Sequence, residues 1–382
     1  METMKTNNSI AGGPLEAARL TRAGRLLDAT AAIQRTLRAR SAAEAVVADS
    51  PPERGGPSGR VIDGVFSQAA DPARIALPRT RGRQPGAPDR DLTPAPADVP
   101  AGAFITASYT NHAGTRPYKL YIPSTHAGAA LPLVVMLHGC TQTPDDFAAG
   151  TRMNSLAEAQ RWFVLYPAQI QSANRSRCWN WFKRADQRRD AGEPAIIAGM
   201  TRAVLDRYGL DARKVYVAGL SAGGAMAAVV GAAYPDLYAA IGIHSGLAHG
   251  AAHDLPSALA AMRGAHAGPA DRTTGPTVPV IVFHGDRDAT VHPSNGERVV
   301  AQSVEDPGAG ARITVERHRI AAGHAYTRTI HRDQSGRTVL EHWLVHGAGH
   351  AWFGGSDRGS FTDPKGPDAT GEMLRFFGEV RA

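Results

Sequence analysis

The sequence has few cysteines, no long apolar segment and no clustered charge. No apolar run approaches the ~20 residues of a membrane-spanning helix, so we expect no membrane span. The formal net charge is +7, but Lys and Arg are scattered and are not interleaved with aromatic residues, which argues against a nucleic-acid partner. The two cysteines, Cys140 and Cys178, leave the redox compartment open. With 43% hydrophobic and 20% charged residues, the composition is that of an ordinary globular protein.

Composition divides the chain into three predicted segments. Residues 1–47 include a helical pattern over Pro14–Arg40, whose arginines form a solvated face or, alternatively, a partner-binding surface. Residues 48–101 are rich in Pro, Gly and Arg and nearly free of aromatic residues, so we expect a disordered linker. Residues 102–382 are the predicted compact domain. The polar stretch Met1–Ala11 lacks the layout of a secretory signal, which favours a cytoplasmic location.

Strand and helix patterns alternate within residues 102–382. The predicted strands are Phe104–Tyr109, Arg116–Ile122, Leu131–Leu137, Trp162–Tyr166, Val215–Ala218, Ala240–His244 and Val278–His284, and the predicted helices are Asp145–Gln160, Pro194–Tyr208, Ser221–Tyr234 and Pro293–Gln302. This alternation predicts an α/β fold, with a mainly parallel central sheet and helices on both faces. The first two strands form a predicted antiparallel hairpin. Three alternating strands, Arg312–Arg319, Ala325–His331 and Thr338–Val345, predict an antiparallel edge before a last helix at Glu372–Val380.

One motif offers a nucleophile. Lys214–Ala218 is an apolar, β-branched run that leads into Gly219-Leu-Ser221-Ala-Gly223, and a small-residue helix follows. A sharp turn between strand and helix strains the central residue and needs Gly or very small neighbours. The turn holds the Ser221 hydroxyl clear of the sheet, where a histidine can deprotonate it.

The partners of such a serine follow in the order acid, then histidine. His284-Gly-Asp286-Arg-Asp288 supplies two acids at a strand end, and we select Asp288 because an Asp in the tight turn, as Asp286 is, commonly caps its own backbone. His350 is the predicted base because it lies on a glycine-rich loop past the last strand. His346 is expected to stay at the strand end.

A tetrahedral intermediate needs two amide donors for its oxyanion. We expect them to be the amides of Ala222, after the nucleophile, and of Cys140, in the loop after the third strand. No metal or cofactor is predicted. His346 and His350 are four residues apart, but the intervening glycines disfavour the helix that would bring them together. The glycines around Ser221 also lack the Lys-Ser/Thr ending of a phosphate-binding loop.

Three of the few aromatic residues stand within Cys178-Trp-Asn-Trp-Phe182. Trp179, Trp181 and Phe182 either pin a surface loop or form a wall of the substrate cleft. We favour the cleft.

These motifs together resemble the polyhydroxybutyrate-depolymerase-type esterases of the α/β-hydrolase superfamily. The resemblance rests on Leu137-His-Gly-Cys-Thr-Gln142, Cys178-Trp-Asn-Trp-Phe182, Gly219-Leu-Ser-Ala-Gly-Gly-Ala-Met226, His284-Gly-Asp-Arg-Asp-Ala-Thr-Val291 and Gly349-His-Ala-Trp352. It implies an α/β-hydrolase fold and a serine carboxylester hydrolase that acts on short-chain esters such as poly- or oligo(3-hydroxybutyrate). Feruloyl and acetyl-xylan esterases are similar in sequence and remain an alternative. From another class, a non-catalytic protein that binds polyester granules is the remaining alternative.

The resemblance also bears on redox state, location and substrate form. It points to a disulfide between Cys140 and Cys178, whereas a cytoplasmic setting favours two reduced thiols. Many relatives are secreted, which is the alternative to a cytoplasmic location. Because we recognise no polymer-binding domain, we expect soluble esters and oligomers to be hydrolysed before crystalline polymer. The expected partners are therefore small or oligomeric esters and a polyester granule surface.

Overall fold

A ten-stranded mixed sheet organises the residues that the computed structural model describes, which are 102–265, 278–304 and 312–380. Its strands are β1 (Ala103–Asn111), β2 (Gly114–Ile122), β3 (Leu133–Leu137), β4 (Phe163–Pro167), β5 (Val215–Leu220), β6 (Ala240–His244), β7 (Val280–Gly285), β8 (Arg312–Arg319), β9 (Ala325–Arg332) and β10 (Thr338–His346). The predicted N-terminal helix and linker lie outside the described residues.

The strand order is β1-β2-β4-β3-β5-β6-β7-β10-β9-β8. The six strands from β4 to β10 in this order are parallel. The hairpin β1–β2 adds antiparallel strands at one edge, and β9 and β8 do so at the other. The predicted fold class and its antiparallel edges are confirmed. Since all six central strands run the same way, the loops after β3, β5, β7 and β10 meet at one edge of the sheet.

Helices cover both faces of this sheet. They are α1 (Pro144–Thr151), α2 (Met153–Gln160), α3 (Gly192–Tyr208), α4 (Ala222–Ala233), α5 (Leu255–Met262), α6 (Ser294–Ser303) and α7 (Ala369–Glu379). Alternate residues of one strand enter different cores: Leu133 and Val135 pack with α3, α4 and α5, whereas Val134 and Met136 pack with α1, α2 and α7. A fully buried side chain of this size contributes about 1.5–3 kcal/mol, so both faces need cover.

Two helix predictions differ from the structure. The predicted helix Asp145–Gln160 is two helices, because Arg152 has a φ of 57° and ends α1 in the left-handed region. Helix α5 was not predicted, although Asp254 and Ser257 form a capping box at its start that marks it in the sequence. Among the described residues, no helix is both long and apolar enough to cross a membrane.

Candidate active site

Ser221 occupies the turn between β5 and α4. Its φ of 57° and ψ of −118° are strained for a residue with a side chain, at a cost of about 1–3 kcal/mol. The turn is stabilised by the Ser221 amide, which donates to the carbonyl of His244 at 2.9 Å. A Cβ atom on Gly223 would lie 2.0 Å from the carbonyl oxygen of Leu137, so only glycine lets the turn approach the end of β3 this closely. The turn at Gly219–Gly223, called the elbow below, is therefore strained as the sequence predicts.

The loop after β3 lies against this elbow. Its residue His138 is 1% exposed, accepts the Gln169 amide at Nε2 (3.1 Å) and donates from Nδ1 to the Gly139 carbonyl (2.8 Å). Burial lowers the pKa of His138 to about 4, so the ring is neutral at physiological pH. Within the described residues, the amides of Cys140 and Ala222 donate to no protein acceptor. An oxyanion donor must have such an unused N–H.

A disulfide joins Cys140 to Cys178. It connects the loop after β3 to the aromatic segment Cys178–Phe182, and a backbone bond from the Thr141 amide to the Ser176 carbonyl (2.7 Å) runs beside it. The loop that carries the Cys140 amide is therefore held both covalently and by hydrogen bonds.

Asp288 and His350 form a buried pair. Asp288 Oδ2 accepts His350 Nδ1 at 2.7 Å; the Asp288 side chain is fully buried and that of His350 is 11% exposed. Asp288 Oδ1 accepts the amides of Thr290 (2.9 Å) and Val291 (2.8 Å). Burial raises the pKa of the carboxyl, but the hydrogen bond and charge of His350 and the Val291 amide outweigh it, so the pKa of Asp288 lies below its usual value. Because Nδ1–H of His350 donates to the ionised carboxylate, Nε2 of His350 carries the free lone pair.

The acid and histidine loops are joined along their backbones. The Asp286 amide donates to the Val345 carbonyl (3.0 Å), and the Arg287 amide donates to the Ala348 carbonyl (3.1 Å). A Cβ atom on Gly285 would lie 2.3 Å from the Ala348 oxygen, so the two loops are in close contact.

His244, at the end of β6, connects the histidine loop to the elbow. Its carbonyl accepts the Ser221 amide, and its Nε2 accepts the Phe353 amide at 3.1 Å. Burial, with added repulsion from His284 and His350, places the pKa of His244 far below its usual value. His244 thus holds Ser221 through its carbonyl and the segment just after His350 through its neutral ring, at the same sheet edge. This role of His244 was not predicted, because a histidine at a strand end carries no special signal.

A second Asp–His pair lies beside the first. His346 Nδ1 bonds Asp286 Oδ2 at 3.0 Å, and His346 Nε2 bonds Thr327 Oγ1 at 2.8 Å. We expected Asp286 to cap its own turn, but it accepts the Gly347 amide at 2.7 Å instead. The side chains of His346 and Asp286 are 40% and 35% exposed, so this pair is far more solvated than Asp288–His350.

The aromatic segment differs from its prediction. Trp179 is completely buried beneath the loop after β3, where its indole donates to the His138 carbonyl (3.1 Å). A side chain with no exposed surface cannot form a cleft wall. Trp181 is 5% exposed and packs edge-on against the partly exposed Phe182, with ring centroids 5.6 Å apart. Of the three predicted substrate-binding residues, Phe182 retains the most accessible surface.

A buried polar network that the sequence did not reveal holds this segment from below. Glu193 is 3% exposed and accepts the Asn180 amide (2.7 Å), the Asn180 side chain (2.6 Å) and Arg116 (3.4 Å). Burial raises the pKa of Glu193, and the nearby Asp186 adds to this effect. Within the described ranges, no three His, Cys, Asp or Glu side chains are grouped to hold a metal ion.

A parallel sheet with Ser221 after β5, Asp288 after β7 and His350 after β10 has the arrangement of an α/β-hydrolase. The chain belongs to the esterase PHB depolymerase family, whose model matches residues 116–319. That range includes Ser221 and Asp288 but ends before His350.

Curated relatives agree with this family, and a solved structure shares the fold. Poly(3-hydroxyalkanoate) depolymerase C of Paucimonas lemoignei is 29% identical over 66% of this chain and 63% of its own length. Feruloyl esterase B of Neurospora crassa is 29% identical over 72% of this chain and 92% of its own length. A probable acetylxylan esterase A of Neosartorya fischeri is 30% identical over 50% of this chain and 55% of its own length. The chain thus spans less than two thirds of the depolymerase and of the acetylxylan esterase. An acetyl xylan esterase structure from Aspergillus awamori shares the fold, with a TM-score of 0.55 and 21% identity. The match covers 72% of this chain and 99% of that one.

Proposed function

We propose that the protein is a serine carboxylester hydrolase that works through an acyl-enzyme on Ser221. The observation that carries the proposal is the 2.7 Å bond between Asp288 and His350, with the strained Ser221 at the same sheet edge. A buried, ionised carboxylate that fixes a histidine tautomer is what activation of a serine requires.

The reaction divides among these residues. His350 Nε2 takes the Ser221 proton as Oγ attacks the ester carbon, and the amides of Cys140 and Ala222 stabilise the oxyanion. His350 then protonates the leaving alcohol, and the acyl group stays on Ser221. Water, deprotonated by the same nitrogen, releases the acid and restores the serine.

The proposed substrates are short-chain esters, including oligomers of 3-hydroxybutyrate, in keeping with the family and with the depolymerase relative. The His350 side chain is only 11% exposed, so an ester must enter the site rather than rest on the surface. A polyester chain that is packed in a crystal must separate from its neighbours before it can enter the site. Dissolved oligomers should therefore react before amorphous granules, and amorphous granules before crystalline film, when product release is compared at equal enzyme concentration. Equal rates on film and oligomer would contradict this order.

A feruloyl or acetyl-xylan esterase is the second candidate, favoured by a feruloyl esterase that aligns over 92% of its length. Initial rates on 3-hydroxybutyrate trimer, methyl ferulate and acetylated xylan separate the two. The first proposal predicts the highest kcat/KM on the trimer, and a higher value on methyl ferulate or acetylated xylan would replace it. A granule-binding protein without catalysis would hydrolyse none of them.

The disulfide bears on the compartment. Disulfides persist in oxidising environments and are rare in the cytosol. The Cys140–Cys178 bond therefore favours the secreted alternative over the expected cytoplasmic location. Alkylation of protein from its native host, without reductant, tests this: a blocked pair supports an oxidising compartment, and two alkylated thiols contradict it.

A further inference from the structure

Gln142 is buried in the loop after β3, with 2% of its surface exposed, and its side-chain amide is fully bonded. Its Oε1 accepts the Gly139 amide at 2.9 Å. Its Nε2 donates to Asp146 Oδ2 at 2.8 Å and to the Ser360 carbonyl at 3.1 Å. The reaction described above gives this side chain no part.

These contacts join the two sides of the candidate site. Asp146 lies at the start of α1 and also accepts the Ser360 amide (2.9 Å) and hydroxyl (2.6 Å). Ser360 lies on the chain that follows the histidine loop, where the Phe361 carbonyl accepts the Trp352 amide at 2.7 Å. Through Gln142, the loop that carries the Cys140 amide is thereby connected to the segment just after His350.

Gln142 also holds both polar groups of Gly139. Its side chain accepts the Gly139 N–H, and its own amide donates to the Gly139 carbonyl at 3.3 Å, which His138 Nδ1 also contacts at 2.8 Å. The Gly139 carbonyl and the Cys140 N–H belong to one planar trans peptide, so they point in opposite directions. Whatever fixes the carbonyl therefore fixes the direction of the Cys140 N–H.

We propose that Gln142 is a positioning residue that orients the Cys140 amide toward the oxyanion, with Asp146 as its anchor. This inference rests on the proposed ester hydrolysis. A donor that is preorganised for the oxyanion stabilises the transition state more than the bound ester. Loss of the contact between Gln142 and Asp146 should therefore lower kcat and leave KM nearly unchanged.

The test replaces Gln142→Glu and measures hydrolysis of a short p-nitrophenyl ester. Glu keeps an acceptor for the Gly139 amide but turns an oxygen toward the Asp146 carboxylate. Removal of a whole oxyanion donor costs about 10²–10³ in kcat, so a misdirected one should cost on the order of 10–10². While the two carboxyls share one proton, the protonated Glu can still donate to Asp146, and the loss should grow as this proton leaves with rising pH. Binding of a trifluoromethyl ketone should weaken in parallel with kcat.

The control is the double variant Gln142→Glu with Asp146→Asn. It restores a donor–acceptor pair with the roles exchanged, and it should recover most of the lost kcat and remove the added pH dependence. Titration of active serines with a fluorophosphonate corrects each rate for the folded fraction. A kcat per active serine that is unchanged in Gln142→Glu, or a loss that the double variant does not recover, would overturn the inference. If the wild type shows no Ser221-dependent hydrolysis, the proposed function fails first and this inference falls with it.

Discussion

Replacement of Asp288→Asn tests the assignment of the acid with little change in shape. The two Oδ1 contacts come from the backbone amides of Thr290 and Val291, so an asparagine must place its oxygen there. Its NH₂ group then faces His350 Nδ1, which becomes the acceptor. The histidine proton moves to Nε2, and the base loses the lone pair that should receive the serine proton.

The expected loss in kcat is about 10⁴, the value measured for the equivalent change in a serine protease. At about 1.36 kcal/mol for each factor of ten, this is roughly 5.4 kcal/mol of transition-state stabilisation. The loss should appear in kcat with KM little changed, in initial rates on a short p-nitrophenyl ester at pH 8.

Asp286→Asn is the matched control two residues away. This carboxylate is 35% exposed and pairs with a 40% exposed His346, and solvated pairs contribute about 0–1 kcal/mol. Its asparagine oxygen can still accept the Gly347 amide, so the rate should change by less than about fivefold. A larger loss in Asp286→Asn than in Asp288→Asn would refute the assignment.

Three further predictions concern stability. Burial and the repulsion of nearby histidines lower the pKa of His342 from 6.5 to about 4, so the unfolded chain binds this proton first as pH falls. The contribution of the neutral His342 to the free energy of unfolding should be fully present above pH 6.5 and should fall by roughly 3 kcal/mol toward pH 4. Urea unfolding of His342→Gln should show a shallower fall. The disulfide closes a separation of 38 residues, so Cys140→Ala with Cys178→Ala should lower the free energy of unfolding by about 4 kcal/mol, and an unchanged urea midpoint would contradict this. Glu341, whose side chain is 1% exposed, bonds two arginines, so Glu341→Ala should cost about 3–5 kcal/mol; a melting temperature equal to the wild type would refute it.

The sequence predicted those features that depend on local pattern. Continuous apolar runs such as Leu133–Leu137 must be covered on both faces, and the glycines around Ser221 are needed by one tight turn. Ser221, Asp288 and His350 each follow a strand that a local apolar or alternating run predicts. These are properties of short segments, so a single sequence contains them.

Features that depend on distant partners were missed. Trp179 looks like a cleft residue in sequence, but its indole meets a carbonyl 41 residues away and is buried there. Asp286 finds its partners 60 and 61 residues away rather than in its own turn. Gln142 reaches Ser360 across 218 residues. No periodicity or spacing encodes such contacts, because they are set by how the sheet brings loops together.

The covalent state of Ser221 tests the central claim most directly. The protein and its Ser221→Ala variant are treated with a fluorophosphonate, and intact mass, peptide maps and residual hydrolysis of a short ester are measured together. We predict one adduct, on the Ser221 peptide, that forms in step with loss of activity; the variant should remain folded, unlabelled and inactive. Hydrolysis at the wild-type rate by Ser221→Ala, or an inactivating adduct on another residue, would contradict it.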